Sequence, residues 1–122
     1  MSVELVDRGS FLHIRFFGTM ESKDFREIFQ AFEKYEQDTS QVPNRITTFG
    51  EIDDFVIQFS GMLPMAQDRS QRLFNPPLKS AVVASRPIEK AAASMVQSMN
   101  MNETIQIRVF PSFAEAEAWV RE

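Results

Sequence analysis

The sequence predicts an α/β fold: a mixed, mostly parallel sheet of five strands with four helices, in the order β-β-α-β-α-β-α-β-α. Three observations in the last third of the chain indicate it. Ala81–Ala84 is wholly apolar, as in a strand that is covered on both faces. Ile88–Asn100 then has helical periodicity. Finally, the strand pattern Ile105–Phe110 precedes a helix pattern at Ser112–Glu122, and such alternation is typical of parallel sheets.

The start of the chain predicts a β-hairpin. Val3–Val6 and Phe11–Phe17 have strand patterns, and Gly9 lies in the turn between them. One face of the second strand carries Leu12, Ile14 and Phe16, and the other carries Phe11, His13, Arg15 and Phe17. We expect Gly18-Thr19 to end this strand, and Thr19 or Ser22 to cap the helix that follows.

The first helix is predicted over Asp24–Tyr35 and is rich in phenylalanine. Its apolar stripe consists of Phe25, Ile28, Phe29, Phe32 and Tyr35. A third strand is predicted at Arg45–Phe49 and ends at Gly50. Apolar residues between Ile52 and Phe74 fit a helix, but Pro64 interrupts it and predicts a break or a fresh start near Ser60-Gly61.

The C-terminal elements carry clearer signals. Pro87 suits the first turn of the helix Ile88–Asn100. The predicted buried face of that helix consists of Ile88, Ala91, Ala92, Met95, Val96 and Met99. The strand Ile105–Phe110 alternates apolar and polar residues, which predicts a place near the sheet edge. The last helix begins with a capping-box pattern at Ser112–Glu115 and docks through Trp119.

Length and composition limit the possible classes of protein. The 122 residues predict a single domain, 1–122, and the net charge of −4 argues against a nucleic-acid partner. The absence of cysteine excludes disulfides and thiolate metal sites. We find neither a signal-peptide pattern nor an apolar run of membrane-spanning length, and we expect a soluble, cytoplasmic protein.

Residues that often carry catalysis are few and have structural explanations. His13 is the only histidine, and no serine elbow or second imidazole accompanies it, so neither a triad nor a metal site is predicted. Asp53-Asp54 precedes an apolar run, where carboxylates favour a helix N-terminus. No glycine pattern for phosphate binding occurs, and we expect no cofactor. Arginines 69, 72 and 86 are interpreted as solvated, with an anion site as the alternative.

A ligand cavity is predicted at the carboxyl ends of the strands, where ligands bind in open α/β sheets. Phe55, Phe59 and Met62 would bound it on the segment that Gly61 weakens, with the methionine adapting to what enters. It would open towards Thr48 and Ser85-Arg86. The expected occupant is an acyl-like or aromatic molecule, and a dry core is the alternative.

The C-terminal residues resemble a known family. The segment Lys79–Ala84 is followed by a helix, by the strand Ile105–Phe110, and by Phe113–Val120. This order resembles the SpoIIAA-like branch of the STAS superfamily, whose fold is shared with anti-sigma-factor antagonists and CRAL-TRIO lipid-binding domains. Members close with a strand, Val-Phe, a short loop and Glu-Ala-x-x-Trp-Leu, and Val109-Phe110 with Glu117–Val120 approximates that ending.

The resemblance implies a non-enzymatic binding or regulatory domain for a protein partner or a small apolar ligand. Anti-sigma-factor antagonists carry a phosphorylated serine after the third strand, whereas Thr48–Asp54 contains none, so we expect no phosphoserine switch. Two alternatives stay open. One is a small enzyme that uses Asp53, Asp54 or His13 in a cleft at the strand carboxyl ends. The other is a homodimer formed through apolar helix faces.

Overall fold

The computed structural model describes residues 2–37, 42–56 and 63–122. The strands are β1 (Val3–Asp7), β2 (Phe11–Glu21), β3 (Asn44–Val56), β4 (Leu78–Val83) and β5 (Ile105–Phe110). The helices are α1 (Ser22–Tyr35), α2 (Leu63–Ser70), α3 (Pro87–Met99) and α4 (Phe113–Val120). The predicted order of elements is therefore confirmed.

The five strands form one sheet in which spatial order follows chain order, β1-β2-β3-β4-β5. β1 and β2 pair antiparallel, as predicted for the opening hairpin, and Gly9 in the turn has a φ of 84°. The other three pairs are parallel. The sheet is thus mixed and mostly parallel, and β5 lies at an edge as its alternating pattern predicted.

The helices cover the two faces of the sheet unequally. α1 and α3 pack on one face together with Leu12, Ile14 and Phe16, and Met65 of α2 contacts the same cluster. α4 packs on the opposite face, where Trp119 contacts a cluster containing Phe11. Each face of β2 therefore faces a different apolar cluster, as its alternation predicted.

Two predicted boundaries near the start of the chain are wrong. β2 continues through Gly18 to Glu21, because Gly18 adopts a φ of 63° and the register with β3 shifts there. α1 then follows directly, so neither Thr19 nor Ser22 is its N-cap. Glu21 takes that position, and its backbone N–H donates to Asp24 Oδ2 at 2.8 Å.

The predicted end of β3 at Gly50 is also wrong. The strand continues to Val56 because its second half pairs with the extension of β2, with Gly18 opposite Ile52 and Met20 opposite Phe55. Asp53 and Asp54 are therefore exposed strand residues, not a helix N-terminus. Of the helix predicted between Ile52 and Phe74, the first five residues belong to β3, and α2 begins at Leu63 with Pro64 in its first turn. The break or fresh start expected near Ser60-Gly61 lies outside the described residues.

The C-terminal predictions agree closely with the structure. β5 has the predicted bounds, Pro87 opens α3, and Ser112 caps α4 by accepting the Glu115 N–H at 3.3 Å. One predicted core residue of α3 is wrong, since Ala91 is exposed and Ala93 is buried instead. Within the described ranges, no helix combines the length and apolar character needed to cross a bilayer.

Candidate functional site

A cavity lies between the sheet and the helices α1, α2 and α3. Its volume is about 100 Å³. Because one water needs roughly 10–15 Å³, this space would hold several water molecules or a short apolar group. Its apolar lining is Ile14, Phe16, Phe25, Ile28, Phe29, Phe32, Ala66, Val96, Met99, Met101, Ile105 and Ile107.

The phenylalanines of the predicted apolar stripe of α1 form one wall of the cavity. Phe25 and Phe29 have ring centroids 6.2 Å apart, and those of Phe29 and Phe32 are 6.5 Å apart. Phe16 of β2 continues the row at 5.2 Å from Phe25. Such tilted ring pairs pack favourably. The stripe therefore presents a continuous aromatic surface to the cavity.

The polar end of the cavity contains Arg45 of β3 and Arg69 of α2, which meet a buried carboxylate at the end of α1. Glu36 is 1% exposed, and Arg69 donates to both of its oxygens, at 3.0 and 2.7 Å. Arg45 Nη2 lies 3.5 Å from the same carboxylate, and Arg72 Nε lies 3.8 Å away. A carboxylate at a helix C-terminus is unfavourable by itself, so the arginines offset the cost of placing Glu36 there.

Arg45 is the most buried of these cations. Its guanidinium stacks 4.1 Å above the Phe32 ring, and Arg69 lies 4.9 Å from the Phe29 ring. Burial lowers the pKa of Arg45 to about 10, an effect that Glu36 opposes and Arg69 reinforces. Arg45 therefore stays charged at neutral pH. Its Nε is buried and finds no hydrogen-bond partner in the part of the chain that the structure describes.

Asn102 holds the segments at this end of the cavity together. Its amide donates to the carbonyls of Arg69 and Arg72, at 2.9 and 2.5 Å, at the end of α2. Its side-chain oxygen accepts from the backbone N–H and the hydroxyl of Thr104, at 2.9 and 2.6 Å. Asn102 is 4% exposed, and its four bonds join the end of α2 to the start of β5. It thus fixes the position of Arg69 relative to the sheet.

This cavity lies elsewhere than the predicted one. It is bordered by Arg45, Thr47, Ser80 and Ile105, towards the amino ends of the parallel strands. None of the predicted residues Thr48, Phe55, Ser85 and Arg86 lines it. Phe59 and Met62 lie outside the described residues. The ligand role of these six positions stays a prediction.

The structure shows where the four described positions lie. The Thr48 hydroxyl is 2.9 Å from His13 Nε2, and Phe55 is a half-buried strand residue opposite Met20. Ser85 is exposed. The Arg86 guanidinium donates to Glu89 at 2.6 Å and to the carbonyl oxygens of Phe49, Gly50 and Ile52. Arg86 therefore secures the β3 extension beyond its pairing with β4.

The three residues of the catalytic alternative do not converge. His13 pairs with Ile46, whereas Asp53 and Asp54 lie further along β3, roughly 20 Å away at about 3.3 Å per residue. His13 faces the Phe113 ring of α4, at 5.3 Å between centroids. Among the residues that the structure describes, no three His, Asp or Glu side chains gather as they would around a metal ion. The enzyme hypothesis therefore has no geometric support at these positions.

The arginines 69, 72 and 86 also separate into two groups. Arg69 and Arg72 join the Glu36 cluster, whereas Arg86 binds Glu89 and β3 backbone. Sequence reasoning missed Glu36 and Arg45. Two signals were present: Glu36 follows Phe32 by four positions and so continues the apolar stripe, and Arg45 shares its strand face with the core residue Phe49.

Comparisons with known proteins agree with this architecture. The family model described as SpoIIAA-like matches residues 11–121. An uncharacterized protein with a SpoIIAA-like fold from Shewanella loihica has a TM-score of 0.62 at 10% identity, covering 97% of this chain and 91% of its own. An anti-sigma factor antagonist from Mycobacterium paratuberculosis has a TM-score of 0.61 at 13% identity, covering 98% and 93%. Phosphorylated SpoIIAA, the Bacillus cell fate determinant, has a TM-score of 0.58 at 15% identity, covering 98% and 99%. No curated protein matches the sequence.

Proposed function

The chain belongs to the SpoIIAA-like family, and from this premise we propose that it is a non-enzymatic binding domain that holds a small, largely apolar ligand. The observation that carries the proposal is the cavity bordered by α1, α2, α3 and the sheet. Its volume is about 100 Å³, and it opens to solvent where the exposed residue Met101 lines it, so a small molecule has both room and access.

The chemistry of the lining favours an apolar occupant. Most of the wall consists of aromatic and aliphatic side chains, and Met99 adds a flexible one that adapts to different shapes. A few polar groups, including Thr47 and Ser80, converge at one end. Apolar walls with a few converging polar groups are typical of small-molecule sites.

A protein partner is the second candidate, and a specific observation favours it. Two proteins of similar structure are an anti-sigma factor antagonist and SpoIIAA. Val56 and Leu73 are each 59% exposed, and Met101, at 50%, lies at the cavity rim. These side chains are the apolar contacts that a partner would cover. The expected absence of a phosphoserine switch stays a prediction, because Thr48–Asp54 lies within β3 and the segment after the strand, which contains Ser60, is outside the described residues. The homodimer stays a prediction.

The test of the ligand proposal is a cavity-filling substitution. Val96 of α3 lines the cavity and is half-buried, so Val96→Phe should occupy part of its volume. We expect saturable shifts of the Ile, Val and Met methyl NMR signals when 1-octanol is titrated into the native protein. Val96→Phe should weaken this binding by about tenfold or more.

The matched control is Val109→Phe, because Val109 is exposed at the sheet edge and does not line the cavity. It should bind 1-octanol as the native protein does. Equal binding by the native protein and Val96→Phe, with both folded, would contradict the proposed site. Absence of any saturable shift would remove the small-ligand function and leave the protein partner.

A further inference from the structure

We propose that the ligand is an apolar chain that ends in a carboxylate, and that Arg45 and Arg69 receive the carboxylate. This inference rests on the proposed function, because it assigns the chemical class of molecule that the same cavity takes. Both arginines line the cavity beside the aromatic wall of α1. The cavity therefore has apolar side chains along its length and positively charged side chains at one end.

The charges at this end do not balance. Arg45, Arg69 and Arg72 surround the carboxylate of Glu36, and Arg72 also lies 3.8 Å from Glu33. Among the residues that the structure describes, these three positive and two negative groups leave one positive charge in excess. Glu36 gives its two short bonds to Arg69, so the excess falls on Arg45, 3.5 Å from the carboxylate. A single negative charge would complete the cluster.

The position of Arg45 shows that this excess is buried. Arg45 is 4% exposed, and its Nε has no hydrogen-bond partner among the described residues. A buried cation without full pairing is costly, and arginine offers a carboxylate two parallel donors. An alcohol or a hydrocarbon would leave the charge uncompensated. A monocarboxylate would supply the missing charge.

The strand register places further polar groups beside Arg45. Arg45 of β3 stands directly opposite Ser80 of β4, and Thr47 follows on the same face of β3. All three line the cavity. The two hydroxyls are therefore positioned next to the guanidinium, where they can donate to a carboxylate oxygen. The apolar residues Ile14 and Phe16 of the neighbouring strand β2 line the cavity between these polar groups and the aromatic wall.

The experiment compares octanoate with 1-octanol, which has the same chain length and an uncharged head. Both are titrated into the full chain at neutral pH and followed by methyl NMR and by the arginine Nε–H signals. We expect octanoate to bind about tenfold or more tightly than 1-octanol, because a hydrogen bond to a charged group exceeds one to a neutral group. The Arg45 Nε–H signal should shift with octanoate and stay in place with 1-octanol.

Substitution of Arg45 tests which residue is responsible. Arg45→Met keeps the length of the side chain and should bring octanoate affinity down to that of 1-octanol without weakening 1-octanol. Glu36 keeps its two bonds to Arg69 in this variant. Arg108→Met is the control, because Arg108 is exposed and stacks on Trp119 at the opposite face of the sheet. It should leave both affinities unchanged.

The outcomes separate this inference from the proposed function. Saturable binding of 1-octanol with no preference for octanoate would contradict the carboxylate inference and would still support an apolar ligand site. Failure of both 1-octanol and octanoate to bind would contradict both the carboxylate inference and the proposed ligand-binding function. If Arg45→Met does not fold, the carboxylate inference is tested by two results from the native protein: its preference for octanoate over 1-octanol and the shift of the Arg45 Nε–H signal. An octanoate preference that persists in a folded Arg45→Met would also refute the assignment.

Discussion

His13 Nε2 lies 2.9 Å from the Thr48 hydroxyl, across the adjacent parallel strands β2 and β3. His13 is 8% exposed, and its ring contacts Phe113 of α4 on one side. Burial lowers its pKa below the usual 6.5, and the nearby charges of Arg8 and Arg15 add to this, while Glu4 and Glu51 oppose it. The folded protein therefore favours the neutral imidazole.

This shift predicts how stability depends on pH. In the window between the lowered folded pKa and about 6.5, the unfolded chain binds more protons, so the free energy of unfolding falls as pH is lowered through it. His13→Gln removes the titration and should flatten this part of the profile. Urea denaturation at intervals between about pH 8 and 5 measures it.

A second titration lies in a different window. Arg15 lowers the pKa of Glu51. Burial would raise the pKa of Glu89, but its bonds with Arg86 outweigh this effect and lower it. The stabilising contributions of these two carboxylates to the free energy of unfolding are therefore lost only below about pH 4.5. The native protein and His13→Gln should therefore lose stability in parallel in acid. Identical slopes above pH 5 for the two proteins would show that His13 does not titrate with folding.

Asn102→Ala should be strongly destabilising. The change removes two donors and an acceptor that bind the Arg69 and Arg72 carbonyls and Thr104, and it leaves those buried groups unpaired. Unpaired buried groups cost about 1–3 kcal/mol each, so we expect a loss of roughly 2–4 kcal/mol in the free energy of unfolding. Gln106→Ala, at an exposed position of β5, is the control and should change stability by less than about 0.5 kcal/mol. If Asn102→Ala lowered the free energy of unfolding by no more than this control, water would have replaced the lost hydrogen bonds.

Trp119→Ala should destabilise the protein by about 3–5 kcal/mol. Trp119 is 8% exposed and packs against Phe110 with 5.6 Å between ring centroids. It is the largest side chain with which α4 covers its face of the sheet, so its removal leaves a large void. Chemical denaturation measures the loss. A value below about 1 kcal/mol would show that α4 is held mainly by other contacts.

Ala92→Asp tests the packing of α3. Ala92 is fully buried where the helix meets the sheet, and an aspartate there would bury a carboxylate without a partner. We expect a severe loss, with the protein largely unfolded at 37 °C. Ala91→Asp, on the exposed side of the same helix, is the matched control and should retain a melting temperature close to the native one. Similar melting temperatures for the two variants would contradict the observation that α3 buries Ala92 and exposes Ala91.

Most of the fold was predictable because its signals are local. β5 and α4 follow from alternation and a capping residue within a few positions of one another, and the structure reproduces both. The second half of β3 was not predictable in this way. Residues Gly50 to Asp54 contain three carboxylates and a glycine, yet they form a strand because the extended β2 supplies their hydrogen bonds. That partner is distant in the sequence.

The candidate site was less predictable than the fold. Its charged end combines Glu36, Arg45, Arg69 and Asn102, which come from four separate segments. Only the topology of the sheet brings them together. The aromatic stripe of α1 was predicted as a core face, and the structure shows that part of this face borders a cavity.

The agreement between strand order and chain order has a consequence for how the protein folds. Phe11 pairs with Asn44, Arg45 with Ser80 and Leu78 with Ile105, so every parallel pairing closes a loop of similar, modest length. On the ribosome, each new strand emerges when its only earlier partner has already been made. α4 packs on the opposite face of the sheet and reaches back to β3, where the Asn44 amide donates to the Val120 carbonyl at 3.0 Å. The nascent chain can therefore add strands one at a time, but it cannot bury the second face of the sheet until α4 has left the exit tunnel.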